Sequence, residues 1–280
     1  MIVSKISNSK QRRKRKLLRV LSFNLFFACI VPSPLSAAFD APNPYPIAFS
    51  LANLVAFPDY LVPNAENSEG WHLSTGLARL FAMPEIQPFA VRIGGLGLGG
   101  RWRLSGKGLV SGAYTEAYSG LAFKRRVART LQVELEVCLL QVAIEDYGSA
   151  WSGLVNARAW WQLQPGVELA AAWENVNNAH LGSGNYPLPR RFALGGFFQL
   201  IPRTDLFLEL EKDTRYSLQS RFGIGYQLLS PLILLFGFQS DPDILSTGLS
   251  CLIGSIRATA AFQYHPDLGI SQCYGLVLGF

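Results

Sequence analysis

The stretch TLQVELEVCL, residues 130–139, alternates apolar and polar side chains without a break. In an extended strand every second residue points to the same face. One face would therefore carry Leu131, Val133, Leu135 and Val137, and the other would carry Gln132, Glu134 and Glu136. A slip of one residue would move both carboxylates to the apolar face, so this arrangement is strongly specified. The stretch predicts a strand between an apolar environment and a polar one.

The same alternation recurs along most of the chain, as in RWRLSGK (101–107), NARAWWQL (156–163) and TDLFLELEK (204–212). About fourteen segments of roughly ten residues follow this pattern, separated by Gly, Pro, Asp, Asn or Ser. They lie near 71–81, 87–97, 100–107, 116–125, 130–141, 151–162, 166–175, 190–200, 204–212, 215–227, 231–239, 246–254, 255–264 and 270–280. This predicts an all-β protein, a transmembrane antiparallel β-barrel of about 14 strands, with 12 as the other possibility.

A soluble β-sandwich is the competing fold. A sandwich has one hydrophobic interior, whereas here the charges at alternate positions form a second continuous face across many strands. Closure into a barrel also removes the free edges that so much apolar strand would expose. The pattern therefore favours the barrel.

The first 38 residues have the order of regions found in a secretory signal peptide. The apolar run LLRVLSFNLFFACIV is followed by PSPLSAA, and eight basic residues precede the run or lie at its start: Lys5, Lys10, Arg12, Arg13, Lys14, Arg15, Lys16 and Arg19. We expect cleavage after Ala37 or Ala38. A membrane anchor is less favoured because Arg19 interrupts the apolar run, and a nucleic-acid-binding arm is less favoured because that run follows it.

Removal of this segment changes the charge of the protein. The full chain carries +6, but the eight basic residues leave with the signal, so 17 basic and 19 acidic residues remain and the net charge becomes −2. A nucleic-acid partner is therefore not predicted. We expect residues 39–70, rich in Pro and Asn, to form an N-terminal plug or periplasmic segment, and residues 71–280 to form the barrel.

The stretch QCYGLVLGF, residues 272–280, places Tyr274, Leu276, Leu278 and Phe280 on one face of a strand. An apolar strand that ends on an aromatic residue resembles the C-terminal strand of outer-membrane β-barrels. The resemblance implies recognition by the outer-membrane barrel assembly machinery. Together with the signal peptide it predicts a protein of the cell outer membrane, in contact with outer-membrane lipid.

The second half of the chain resembles, in order, segments of the PorV/PorQ group within the FadL-like fourteen-stranded barrels. The resemblance rests on Tyr147, Gly148, Asn175, Pro189, Lys212, Asp213, His265, Pro266, Leu268 and Gly269. FadL-like barrels carry small hydrophobic molecules, which implies a plugged conduit with a small hydrophobic ligand. PorV-like proteins serve type IX secretion, so the alternative is a secretion-associated or scaffolding barrel with a secretion-system partner.

Ten charged residues are predicted to face the lumen by the alternation: Arg101, Arg103, Lys107, Glu134, Glu136, Arg158, Glu209, Glu211, Arg221 and Arg257. Basic and acidic residues are mixed among them. A pore selective for one ion sign carries a ring of one charge. The mixture instead predicts a lumen bridged by ion pairs and partly plugged.

No catalytic, cofactor or metal site is predicted. Gly95, Gly97 and Gly100 match a GxGxxG pattern, but a strand follows them where nucleotide binding requires a helix, so a glycine-rich hairpin is favoured. A phospholipase would need a serine beside a histidine, and Ser271 near His265 is the only approach to that arrangement. A structural turn is the better interpretation, and we predict that the protein is not an enzyme.

Overall fold

The computed structural model describes residues 43–58, 60, 70–183 and 186–279, all of which belong to one compact unit. The predicted signal peptide and Phe280 lie outside the described residues. Of the predicted plug, residues 43–58, 60 and 70 are described. Within the described ranges, no helix has the length and hydropathy needed to cross a membrane.

Fourteen antiparallel strands form one closed barrel, and a two-residue hairpin lies outside it. The barrel strands are β1 (His72–Arg79), β2 (Phe89–Gly97), β3 (Gly100–Ser111), β4 (Tyr114–Ala128), β5 (Leu131–Ile144), β6 (Gly148–Gln164), β7 (Val167–Glu174), β10 (Arg191–Ile201), β11 (Thr204–Asp213), β12 (Leu218–Leu229), β13 (Leu232–Gln239), β14 (Ile244–Ile253), β15 (Ile256–His265) and β16 (Gly269–Gly279). Strands β8 (His180–Leu181) and β9 (Tyr186–Pro187) form the hairpin, and one short helix, α1 (Pro46–Ser50), precedes the barrel. Each predicted segment overlaps one barrel strand, so the predicted fold class is confirmed.

Each strand pairs with its neighbour along the chain, and the first strand pairs with the last. Eight residue pairs join β1 to β16, from His72 opposite Gly279 to Arg79 opposite Gln272. This pairing closes the barrel, so neither terminal strand has a free edge.

The two ends of the barrel differ in their connections. Six turns of two residues each join the strands at one end, which we call the turn end: 98–99, 129–130, 165–166, 202–203, 230–231 and 254–255. Most connections at the other end, the loop end, are longer, and the longest are residues 80–88 and 175–190. Bacterial outer-membrane barrels have short periplasmic turns and longer external loops, so the turn end corresponds to the periplasmic side.

The outer face of the barrel is apolar. Leu135 and Val137 of β5 are 60% and 63% exposed, and Leu208 and Leu210 of β11 are both 51% exposed. Glu134 and Glu209, which alternate with these residues, are each only 2% exposed because they face the lumen. A closed sheet with an apolar outer face and a polar inner one matches a transmembrane barrel surrounded by lipid.

Candidate functional site

Residues 43–58 and 60, which we call the inner segment, lie inside the barrel. Every residue of α1 is buried, and Phe49 packs with Ala78, Ala261 and Cys273 of the wall. Leu51, Leu54 and Phe57 join a second apolar cluster with wall residues such as Phe207 and Leu235. The inner segment therefore has its own hydrophobic contact with the barrel, formed by apolar residues on both sides.

Small residues on the wall receive the inner segment. A Cβ atom added at Gly76 would lie 1.9 Å from the Pro44 carbonyl oxygen, and one at Gly237 would lie 2.6 Å from the Ala52 nitrogen. Similar close approaches occur at Gly195, Gly223, Gly248 and Gly275. These glycines lie on β1, β10, β12, β13, β14 and β16, and we call the part of the barrel from β10 through β16 to β1 the glycine wall. Its glycines allow the backbone of the inner segment to approach the sheet more closely than a larger side chain would allow.

Polar contacts fix the inner segment at its middle. The Glu209 carboxylate accepts hydrogen bonds from the Val55 nitrogen at 3.0 Å and from the Ala56 nitrogen at 2.8 Å. Arg221 donates to the Asn53 carbonyl oxygen at 2.7 Å and also pairs with Glu209 at 3.4 Å. Bonds to a charged group are the stronger kind, so this cluster anchors backbone that would otherwise be buried without partners.

The opposite side of the lumen carries a network of ion pairs. Arg103 forms two hydrogen bonds with Glu134, at 2.8 and 3.1 Å. Arg158 lies 2.9 Å from Glu134, 3.1 Å from Glu136 and 3.2 Å from Glu174. We call the strands that carry these residues, β3–β7, the charged wall. Each buried charge in the network has an opposite charge beside it, which offsets the cost of removing it from water.

The register of the strands explains how this network forms. Glu134 of β5 lies directly opposite Arg158 of β6. Arg103 of β3 is separated from β5 by β4, where the facing residue is Ala122. The Arg103 side chain can reach Glu134 because Ala122 and Gly120 leave room on the lumen side of β4. A Cβ atom at Gly120 would lie 2.8 Å from a carboxylate oxygen of Glu136.

A cavity of about 530 Å³ lies between the charged wall and the inner segment, toward the loop end. Asn53, Leu54 and Val55 of the inner segment line it on one side. The charged wall contributes Arg103, Lys107, Glu136, Asn156, Arg158 and Glu174, while Tyr118, Leu140, Leu154 and Leu188 give it an apolar patch. The cavity is large enough for a small organic molecule and offers it both apolar and charged surfaces.

The loop between β7 and β10 covers the apolar side of this cavity. Asn175 is 1% exposed and has a positive φ of 55°. Its side-chain amide donates to the carbonyl oxygens of Leu188 at 3.1 Å and Pro189 at 3.3 Å, and its carbonyl accepts from the Ala179 nitrogen at 2.6 Å. One buried amide thus folds the loop inward and places Leu188 against the cavity.

The residues that carry the family resemblance all lie at the loop end. Asn175 and Pro189 are in direct contact, as described above. Tyr147 lies in the β5–β6 connection and Gly148 begins β6, while Lys212 and Asp213 end β11. Pro266 and Leu268 lie in the β15–β16 connection, between His265 at the end of β15 and Gly269 at the start of β16. The His265 Nδ1 accepts hydrogen bonds from the amides of Asp267 and Leu268.

The predicted lumen-facing charges divide into three groups. Arg103, Glu134, Glu136 and Arg158 form the network of the charged wall, and Glu209, Glu211 and Arg221 form the anchor of the inner segment. Three others join neither group: Arg101 is partly buried at the turn end, Lys107 lies 5.2 Å from the ring centroid of Tyr118, and Arg257 donates to Ser250 at 3.3 Å.

The other chemical candidates have structural roles. The Ser271 Oγ accepts a hydrogen bond from the Phe81 nitrogen, and the His265 Nδ1 is used by the turn, so these two residues do not form a nucleophile and base pair. Residues 98 and 99 form the turn between β2 and β3, as the hairpin interpretation requires. In the described part of the chain, no cluster of His, Cys, Asp and Glu side chains could hold a metal ion.

Sequence reasoning did not identify the glycines that receive the inner segment. A glycine at an inward position gives the same pattern whether the strand bends or another backbone approaches it. The signal that could have identified them is the recurrence of inward glycines on β10, β12, β13, β14 and β16. The alternation also did not indicate the role of Asn175 in the loop, because its partners are backbone atoms distant from the strand.

A closed fourteen-stranded barrel with an apolar outer face and a charged lumen defines an outer-membrane type of β-barrel. Solved structures similar to it include the toluene transporter TbuX of Ralstonia pickettii, with a TM-score of 0.58 and 12% identity over 86% of this chain and 98% of that chain. They also include the toluene transporter TodX of Pseudomonas putida, with a TM-score of 0.59 and 11% identity over 87% of this chain and 98% of that chain. A FadL homologue of Pseudomonas aeruginosa gives a TM-score of 0.56 and 11% identity over 86% of this chain and 98% of that chain.

These likenesses show that the chain has the fold of the FadL-like β-barrels, and at such low identity they show the fold alone. No protein-family model matches the chain, and no curated protein matches it. The finer resemblance to PorV and PorQ, and the role in secretion that it implies, are not supported by the structures named above and stay predictions.

Proposed function

We propose that the protein is an outer-membrane conduit for small hydrophobic molecules, closed in the described state by its inner segment. The observation that carries this proposal is the cavity of about 530 Å³ that rests on the inner segment within the barrel. The fold agrees with the proposal, since similar structures bear the names of toluene transporters. The location in the outer membrane follows from the apolar outer face and the predicted signal peptide.

The lining of the cavity supports an organic ligand with a large apolar part. Leu140, Leu154 and Leu188 belong to one buried cluster beside it. Apolar contact with such a patch favours transfer of a hydrophobic molecule out of water. The ion pairs of Arg158 and Glu136 shape the other side of the cavity, and a ligand would contact groups that already have partners.

Binding is the first test. Refolded protein in detergent is titrated with naphthalene, whose fluorescence changes on transfer from water to an apolar cavity. We expect Leu140→Gln and Leu154→Gln each to weaken binding about tenfold, because each removes apolar contact. Ser246→Ala is the matched control, since Ser246 is buried on the inner face of β14 and does not line the cavity. A folded protein that does not bind naphthalene, or binding unchanged by both leucine variants, would contradict the proposal.

Conductance is the second test, because it reports closure by the inner segment. In planar bilayers we expect the mature chain to stay closed and a chain lacking residues 39–70 to conduct. If the shortened chain does not refold, Gly237→Val provides a full-length substitute, since its side chain would collide with Ala52. Silence from a folded open variant would mean that the charged wall itself blocks the lumen, and the conduit would be rejected.

A further inference from the structure

Charge is almost absent from the outer face of the barrel, and where it occurs its surroundings differ. Only three charged residues occupy outward positions on the fourteen described barrel strands: Arg79, Arg125 and Lys212. Arg79 donates to the Ala82 carbonyl oxygen at 2.9 Å, and Lys212 donates to the Tyr216 carbonyl oxygen. Both of these lie at the loop end, where the protein itself supplies a partner.

Arg125 differs from Arg79 and Lys212 in its position along the barrel and in having no partner among the described residues. It belongs to the turn-end half of β4, is exposed, and forms no hydrogen bond or ion pair with another described residue. Val133 lies directly opposite it on β5. On its own strand the outward neighbours are Phe123, 36% exposed, and Val127, 56% exposed. An unpaired guanidinium therefore projects from an apolar part of the barrel wall.

The position of Arg125 limits what can serve as its partner. It lies four residues before Arg129 in the β4–β5 turn, or about 13 Å along a tilted strand. A charge facing lipid is costly near the bilayer centre and much less so near the interface, where a long arginine side chain can extend to the headgroups. The phosphate groups of lipids lie at this membrane interface, and a guanidinium can bind phosphate through two parallel hydrogen bonds.

We propose that Arg125, with Arg129 in the adjacent exposed turn, forms a binding site for the anionic phosphate headgroup of a glycerophospholipid at the turn end of the barrel. The apolar neighbours Phe123 and Val127 contact the acyl chains of the same lipid. Continuity with the lipid-facing surface distinguishes this site from a docking surface for a soluble protein, since Arg125 lies above the turn and within the apolar face. The site is independent of the lumen and of transport.

Native mass spectrometry of the refolded full-length barrel in neutral detergent tests the proposal. The protein is titrated with phosphatidylglycerol and, separately, with phosphatidylcholine, and the affinity of the first bound lipid is measured. We expect Arg125→Gln to weaken phosphatidylglycerol binding about fivefold, the effect of one charge near an anionic headgroup. Phosphatidylcholine binding should weaken less, because the choline cation offsets the charge of its phosphate. Arg125→Lys should retain most of the affinity.

Arg203→Gln is the matched control, because Arg203 is exposed in the β10–β11 turn at the same end and carries the same charge. Equal losses in the Arg125→Gln and Arg203→Gln variants would indicate net charge alone and overturn the proposal. Unchanged binding in Arg125→Gln would also overturn it. So would a wild-type oligomer in lipid-free detergent that Arg125→Gln disperses, since Arg125 would then pair with another protein chain.

Discussion

The glycine wall and the charged wall enclose the same lumen but are built in opposite ways. Gly76, Gly237 and the other glycines of the glycine wall present no side chain, and the inner segment packs against them. Arg103, Arg158 and their carboxylate partners on β3–β7 extend long side chains, and a cavity lies beside them. Most of the glycine wall is therefore covered by the inner segment, whereas the charged wall is lined by its own long side chains and borders the cavity.

The difference shows that the size of inward side chains determines what a barrel lumen can contain. A sheet lined by glycine can accept a second layer of backbone and bury it. A sheet lined by arginine and glutamate can satisfy its charges by itself, within the sheet, and does not need a second layer. Three substitutions test this contrast, in order of decreasing expected effect.

Arg158→Met should have the largest effect, because it removes the common partner of Glu134, Glu136 and Glu174. Loss of one partner from a buried pair leaves uncompensated charge, so we expect a decrease of about 3 kcal/mol in the free energy of unfolding. Denaturant titration of the refolded barrel measures it. Arg126→Met on β4, two strands away, removes an exposed arginine and should change stability by less than about 0.5 kcal/mol. Equal effects would mean that the charged wall does not act as a network.

Gly76→Ala should lower the free energy of unfolding by about 2 kcal/mol. The new Cβ atom would lie 1.9 Å from the Pro44 carbonyl oxygen and force the inner segment away from the glycine wall. The same denaturant titration applies. Gly153→Ala is the control, since a Cβ atom at Gly153 meets its nearest neighbour only at 4.0 Å. If both variants have wild-type stability, the inner segment is not seated on the wall as described.

Glu209→Gln should have the smallest effect on stability, about 1 kcal/mol, because an amide oxygen can still accept from Val55 and Ala56 but more weakly than a carboxylate. Hydrogen exchange gives a sharper measurement. We expect faster exchange at the Val55 and Ala56 amides. Glu211→Gln removes a carboxylate that pairs with Arg221 without touching these amides, and should leave their exchange slow. Faster exchange in both variants would assign the anchor to Arg221 instead.

The strands could be predicted well from the sequence because the alternation is local. The alternation that predicts β5 is complete within the ten residues TLQVELEVCL, and β5 is observed at Leu131–Ile144. The widest gap between the predicted segments, residues 176–189, likewise lies within the longest observed connection, residues 175–190. Turn residues such as Gly99 and Gly166 adopt the positive φ that glycine allows, so the breaks between strands were also visible.

The arrangement of the lumen could be predicted only in part. Alternation identifies which charges face inward, but the partner of Arg103 lies two strands away and depends on the small residues of β4 between them. The path of the inner segment depends on contacts such as Val55 with Glu209, which are 154 residues apart in the chain. Local patterning carries no information about such distant pairs, so the cavity could not be predicted from it.

The facing glycines Gly76 and Gly275 also bear on the order of folding. They are opposite each other where β1 meets β16, and Pro44 and Pro46 pack across them. The Cys273 Sγ, which lies on β16 with Gly275, donates to the Pro44 carbonyl oxygen over a separation of 229 residues. This docking surface comes into existence only when the first and last strands have met. The full set of contacts made by residues 44–46 therefore exists only in the closed ring, and a chain that lacks these contacts is incompletely assembled.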